Sequence, residues 1–248
     1  RVIGTASPDN HDFGRWLVAK LPKAPAKKDV NPFFDKGSLQ VKKATEALLD
    51  KQPAALTAER KIALYTNGSY HIDGTAFLSA VANQLGDQFR PAWRAAMEEM
   101  AIGRLFAQGL TLPERSTFVK LNCRNGMLDL RTLELSPHDP SFMSTVQVPV
   151  DWDPAATAPH YEAWLLCSCP LQMDDLEEVA GTMLDPTRTP HKAAFLFGPS
   201  RSGKSTFLRL LQAIAGMDNR TAVTLHDLTR DRFAAANVYG KILNAAAD

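Results

Sequence analysis

Apolar residues recur at helical spacing in the first half of the chain. They fall on one face at intervals of three and four residues, which is the period of an amphipathic helix. The predicted helices are residues 38–50, with Ser38 as the N-cap, 75–85 and 91–110. The last of these carries Trp93, Met97 and Met100 on one face. We expect this stripe to be core or a subunit contact rather than a ligand site.

Shorter apolar runs with strand-like spacing lie between and after these helices. Residues 62–65 and 70–72 flank Asn67-Gly68, a pair typical of the type I′ turn of a β-hairpin. Residues 120–140 alternate between apolar and polar and are predicted to turn at Asn125-Gly126. These patterns predict a mixed helical and β domain.

The second half begins with helices and then changes character. Helical spacing predicts a short helix near 161–166 and a longer amphipathic one at 176–184 that ends at Asp185-Pro186. The apolar run 193–197 predicts a buried strand, followed by a loop bounded by glycines. Behind that loop, apolar residues again have helical spacing, and a glycine ends the pattern: Phe207, Leu210, Leu211, Ile214 and Gly216.

The loop matches the phosphate-binding pattern G-x-x-x-x-G-K-[ST], the Walker A motif. Glycines let successive backbone N–H groups turn inward towards a phosphate, a lysine reaches the β- and γ-phosphates, and a serine hydroxyl can ligate Mg²⁺. We therefore predict ATP and Mg²⁺ as cofactors, Lys204 as a catalytic residue and Ser205 as a metal ligand. The alternative is a Gly/Ser-rich surface loop. The predicted nucleotide-binding residues are Gly198, Pro199, Ser200, Arg201, Ser202, Gly203, Lys204, Ser205 and Thr206.

Composition excludes some functional classes and favours others. The 248 residues are 45% hydrophobic and 22% charged, as in ordinary globular proteins, and the net charge of +1 argues against a purely electrostatic grip on nucleic acid. The sequence has no apolar stretch of about 18 residues, so no membrane partner is expected. The three cysteines, Cys123, Cys167 and Cys169, suit a reducing compartment as idle thiols. The start lacks an initiator Met and a secretory signal, which indicates an excised fragment. We expect the protein to be cytoplasmic.

The predicted organisation has three parts. Residues 1–35, rich in lysine and proline, are predicted to be a linker or tether, with an arm that touches nucleic acid as the alternative. Residues 36–150 form the mixed α/β domain, and residues 151–248 begin with the helices that precede the loop.

Four stretches together resemble a known family. They are NCRNGMLDLRTLELSPH (122–138), WDPAATAPHYEAWL (152–165), GPSRSGKSTFLRLLQAIAG (198–216) and LHDLTRDRFAAANVYGKILNAAAD (225–248). Their order is similar to that in the primase-helicases of phages, plasmids and large DNA viruses. The resemblance covers about residues 35–248. It implies an α/β fold in which 36–150 is a collar-like pre-helicase domain and 151–248 is the first half of a P-loop AAA+ motor of superfamily 3 type.

The resemblance also implies a site residue, partners and a location. Residues 241–248 match the family's Walker B strand, so Asp248 would hold Mg²⁺ and take part in catalysis; the residues alone leave a loop acid equally open. The full protein would be a hexameric ring that hydrolyses ATP to unwind DNA, with an upstream primase or polymerase module, in a bacterial host cell. The family's sensor, arginine finger and DNA-gripping hairpin would follow Asp248, so we expect this chain to bind ATP with little hydrolysis.

Two alternative functions remain open from the sequence. One is another P-loop phosphotransferase, such as a small-molecule kinase, which shares the loop and Mg²⁺. The other is a non-catalytic assembly or initiator module built on residues 36–150. Most arginines are expected to be surface charges, while Arg201, inside the loop, is the one expected to touch nucleotide or a neighbouring subunit.

Overall fold

A computed structural model describes residues 31–187 and 193–246, and the chain divides into two compact units, residues 1–40 and 41–248. In the first unit, β1 (Phe34–Asp35) and β2 (Ser38–Leu39) form a small antiparallel hairpin. Its turn residues Lys36 and Gly37 have φ angles of 45° and 82°. Ser38 is thus part of a strand, and its prediction as a helix N-cap is wrong, because the tight turn before it directs the chain into β-pairing. Most of the predicted linker lies outside the described residues.

In the second unit, three helices accompany an antiparallel sheet with the strand order β3-β4-β5. The helices are α1 (Val41–Lys51), α2 (Gly74–Leu85) and α3 (Pro91–Ala107), and the strands are β3 (Ala54–Leu56), β4 (Ile62–Thr66) and β5 (Ser69–His71). The predicted hairpin is confirmed: β4 and β5 pair around Asn67 and Gly68, whose φ angles of 51° and 91° are both positive as a type I′ turn requires.

Local signals explain where these helices begin and which face they bury. Asp73 caps α2 by accepting a hydrogen bond from the Thr75 N–H at 2.8 Å. Pro91 opens α3 at a position where its missing N–H costs nothing. Both helices bury residues spaced by four, which brings one stripe of each into the core: Phe77, Val81 and Leu85 in α2, and Met97, Ala101 and Leu105 in α3.

A second antiparallel sheet contains β6 (Lys120–Cys123), β7 (Gly126–Asp129) and β8 (Leu135–Ser136) in chain order. Cys123 is paired with Gly126, so the turn residues are Arg124 and Asn125 and not the predicted Asn125-Gly126. Gly126 is required inside the strand because a Cβ there would lie 2.6 Å from the Ser136 carbonyl oxygen.

The buried cluster of this sheet contains residues from both sides of position 150. Cys123, Leu128 and Val148 are buried, and Trp152, Leu184 and Ile242 are among the partly buried side chains packed on them. The segment 144–152, which we call the strap, therefore packs between the second sheet and the rest of the second unit. The domain division at residue 150 stays a prediction.

The remaining elements are mostly helical. They are α4 (Pro159–Ser168), α5 (Met173–Leu184), α6 (Lys204–Ala215), β9 (Arg220–Thr221), α7 (Leu225–Arg230), α8 (Ala234–Val238) and β10 (Leu243–Asn244). β9 and β10 pair in parallel. The helices predicted at 161–166, at 176–184 and behind the loop are confirmed, with Gly216 as the C-cap of α6. The described chain is thus a mixed α/β fold of helices and small sheets.

The strand predicted at 193–197 is not formed. These residues belong to no helix and to no sheet among the described residues. Phe195 and Phe197 are 62% and 89% exposed, and their rings stack with centroids 6.3 Å apart. A strand needs a hydrogen-bonded neighbour, and β9 pairs with β10 alone. None of the described helices is long and apolar enough to cross a membrane.

Candidate nucleotide-binding site

The loop 198–203 leads directly into α6, and its backbone turns sharply at three residues. Gly198, Arg201 and Gly203 have φ angles of 155°, 64° and 89°. Gly203 occupies the N-cap position of α6 in a left-handed conformation that a side chain would strain. Arg201 adopts a similar angle with a side chain present, which few residues other than glycine do. Its side chain is exposed. The glycine of the sequence pattern is thus required at position 203, where the backbone is left-handed.

Lys204, the first residue of α6, folds back over this loop. Its Nζ donates hydrogen bonds to the carbonyl oxygens of Gly198 at 2.9 Å and Pro199 at 2.8 Å, and to Ser202 Oγ at 3.2 Å. An ammonium group has three N–H donors, so the loop satisfies all of them. The positive charge is therefore held beside the loop, where a phosphate oxygen could replace these acceptors.

The start of α6 supplies further donors. No side chain caps the helix, and Phe207 N–H donates to the Gly203 carbonyl at 3.0 Å. The N–H groups of the preceding three residues have no acceptor within a helix, and they lie at the positive end of its dipole. Ser205 and Thr206 have exposed side chains. An exposed hydroxyl next to the lysine fits the role predicted for Ser205 as a magnesium ligand.

The segment predicted as a Walker B strand lies close to α6. Within it, β10 covers Leu243–Asn244, runs parallel to β9 and contacts α6. Asn244 fixes the end of the strand pair: its Oδ1 accepts from Val223 N–H at 2.8 Å and its Nδ2 donates to the Val223 carbonyl at 3.0 Å. Asp248 lies outside the described residues, so its role as a metal ligand stays a prediction.

Helix α4 packs directly against the loop, a contact that the sequence analysis missed. A Cβ built on Gly203 would lie 3.0 Å from Cζ2 and 3.3 Å from Nε1 of Trp164, and 3.3 Å from Ser168 Oγ. The Trp164 indole and the Ser168 hydroxyl thus form a wall behind Gly203. The spacing of α4 gives no hint of this, because the contact joins residues about 40 positions apart.

A polar network ties the strap to the region beyond α6. Gln147 Nε2 donates to the Asn67 carbonyl at 2.9 Å and to Asn122 Oδ1 at 3.2 Å. The Gln147 carbonyl in turn accepts from Asn219 Nδ2 at 2.7 Å. Asn122 Nδ2 also donates to the Gly68 carbonyl at 2.9 Å. One residue of the strap therefore connects the β4–β5 hairpin, the second sheet and the turn after α6.

The remaining charged groups form separate surface contacts. The Arg124 guanidinium binds both carboxylate oxygens of Asp151, with 2.8 Å between Nε and Oδ1. The hydrogen bond and charge of Arg124 hold the pKa of Asp151 below its ordinary value. The Arg232 guanidinium lies 4.7 Å from the centroid of the Phe233 ring. In the described part of the chain, no group of three or more His, Cys, Asp or Glu residues could hold a metal ion.

Two family models match the chain. Residues 116–170 match the family described as D5 N terminal like, and residues 196–248 match a family of unknown function, DUF5906. The first match spans the second sheet, the strap and α4. The second begins just before the loop. None of the curated proteins matches the chain. The first match supports the resemblance to phage and plasmid primase-helicases. It also supports a role for the protein in the context of phage or plasmid replication.

Proposed function

We propose that the chain binds Mg-ATP at residues 198–206 and belongs to the DNA helicase motor of a phage or plasmid type primase-helicase. The observation that carries the proposal is the position of Lys204. Its ammonium group is held by loop carbonyls at the uncapped start of α6, so one displacement would bring it onto a phosphate. Ser205 would ligate the Mg²⁺ ion, which neutralises phosphate charge, and Asp248 would hold the same ion.

Calorimetric titration with Mg-ATP tests the nucleotide site. Lys204→Ala should weaken binding by tenfold or more, because a charge-assisted hydrogen bond contributes about 1.5–3 kcal/mol. The matched control is Lys120→Ala. Lys120 is in β6, outside both the loop and the predicted Walker B segment, and its Nζ lies 3.8 Å from Asp129 Oδ2. Equal binding by wild type and both variants would contradict the proposal.

Ser205→Ala separates the metal from the phosphates. Without the hydroxyl, the gain in ATP affinity that Mg²⁺ provides should shrink, while affinity for metal-free ATP should stay close to that of wild type. An unchanged response to Mg²⁺ would remove Ser205 from the metal site.

Motor function requires an assembly, since a neighbouring subunit would supply the arginine that stabilises the transition state. We propose a homo-oligomeric ring, hexameric in the full protein, that moves DNA as ATP is hydrolysed. Light scattering of the full-length protein with Mg-ATP should give a ring-sized mass, and forked DNA should stimulate hydrolysis. Phosphate transfer to a small acceptor without any effect of DNA would favour a kinase instead.

A further inference from the structure

The phosphate loop is held from two sides in this structure. On the inner side, Lys204 Nζ joins the carbonyls of Gly198 and Pro199 and the hydroxyl of Ser202. On the outer side, Trp164 and Ser168 of α4 stand against Gly203, so close that a Cβ at this position would lie 3.0 Å from the indole and 3.3 Å from the hydroxyl.

Only the outer contact can persist when a phosphate binds. A bound β- or γ-phosphate would take the donors of Lys204, and the loop would then lose the bonds to Gly198, Pro199 and Ser202 that hold it together. Gly203 must nevertheless keep its left-handed backbone, because that conformation begins α6 and aims the first helical N–H groups. The rigid indole of Trp164, anchored on a helix, supplies a support that does not compete with the ligand.

We infer that Trp164 is a positioning residue of the phosphate loop, and that Ser168 completes the wall behind Gly203. This inference rests on the proposed nucleotide site. Helix α4 belongs to the segment matched by the D5 N terminal like family, and the loop belongs to the other matched segment. The inference means that α4 supports the loop structurally. The two matched segments then form one nucleotide-binding unit, and Trp164 reports its occupancy.

The test compares two probes, Mg-ATP and Mg-tripolyphosphate, which share phosphates but not a base. If Trp164→Ala reduces the binding-competent loop population to about a tenth, affinity for both probes falls about tenfold. Trp164→Phe keeps a ring against Gly203 and should recover most of that loss. The control is Trp152→Phe, which changes a tryptophan packed on Cys123, Leu128 and Val148 and should bind both probes as wild type does.

Intrinsic fluorescence gives a second measurement. If Trp164 only stabilised the fold, ligand binding would not change its emission. Saturating Mg-tripolyphosphate should alter the tryptophan emission of wild type and of Trp152→Phe, and this change should vanish in Trp164→Phe. If Trp164→Ala lowers the urea midpoint of unfolding, its loss of affinity could come from lower stability. The affinity and fluorescence of Trp164→Phe then test the role of Trp164.

Three results would overturn the inference. If Trp164→Ala binds both probes as tightly as wild type does, Trp164 does not position the loop. A loss for Mg-ATP alone would place Trp164 against the base instead of behind the loop. Failure of wild type to bind either probe would overturn the proposed nucleotide site as well, and Lys204→Ala distinguishes this case because it would then equal wild type.

Discussion

Asn219 offers the sharpest test of how α6 is fixed to the rest of the chain. Its side chain is 7% exposed. Its Nδ2 donates to the Gln147 carbonyl at 2.7 Å and to the Ala215 carbonyl at 2.9 Å. Its own carbonyl accepts from the Ile242 N–H at 2.9 Å. This residue therefore joins the C-terminal end of α6, the strap and the start of the β10 segment.

The cost of removing this side chain follows from its two hydrogen bonds. Each contributes about 0.5–1.5 kcal/mol net, so Asn219→Ala should lower the free energy of unfolding by about 2 kcal/mol. Asn219→Asp should cost more at neutral pH, since the introduced carboxylate cannot donate and faces two carbonyl oxygens.

The aspartate variant also predicts a pH dependence with a definite sign. Burial against carbonyl oxygens raises the folded-state pKa of the introduced carboxyl above its unfolded value of about 3.9. When protonated, the carboxyl can donate one hydrogen bond. Its stabilising contribution is then fully present below the unfolded pKa and is lost as pH rises through the folded pKa. The difference in free energy of unfolding between Asn219→Asp and wild type should therefore decrease as pH falls.

Urea unfolding followed by tryptophan fluorescence measures these differences, with Asn237→Ala as the control. Asn237 is an exposed residue of α8, so its replacement should change stability by less than about 0.5 kcal/mol. The reasoning fails if Asn219→Ala costs no more than Asn237→Ala. It also fails if Asn219→Asp is as stable as Asn219→Ala at neutral pH.

Three further predictions concern separate surfaces and the core. In Arg124→Ala, NMR titration should show the pKa of Asp151 rising towards its ordinary value, and an unchanged titration would refute the ion pair. Burial raises the pKa of the Cys123 thiol, so an aromatic disulfide reagent should label exposed Cys167 quickly and Cys123 only after unfolding; labelling at equal rates would contradict this. Phe197→Ser should change the free energy of unfolding by less than about 0.5 kcal/mol, because the ring is exposed, and a larger loss would show that the ring is covered in solution.

The elements that the sequence predicts well depend on short-range chemistry. Asn67-Gly68 selects a type I′ turn by its own backbone preferences, and Pro91 marks a helix start without reference to distant residues. The loop before α6 belongs to the same class, because Gly203 and Lys204 impose its local geometry. A sequence pattern is reliable where the residues that define it are also the residues that enforce the structure.

The contacts that the sequence misses are long-range and carry no period. Gln147 joins Asn67 to Asn219, and Trp164 meets Gly203. Neither Gln147, nor Asn219, nor Trp164 stands out by spacing or composition. A glutamine in an irregular segment is ordinary on any surface. Its importance here comes from the Asn67 carbonyl and the side chains of Asn122 and Asn219, which the fold brings to it.

The apolar run 193–197 shows why hydrophobicity alone does not determine burial. Complete burial of a phenylalanine side chain contributes about 1.5–3 kcal/mol, so the exposed Phe195 and Phe197 forgo several kcal/mol. Phe207, ten positions after Phe197, has the same side chain and is only 2% exposed, because α6 turns it towards packed neighbours. A strand gains burial only from adjacent strands and covering helices, whereas a helix makes its own backbone hydrogen bonds and needs only one packed face. The loop 198–203 therefore keeps its local geometry even though the strand predicted before it is not formed.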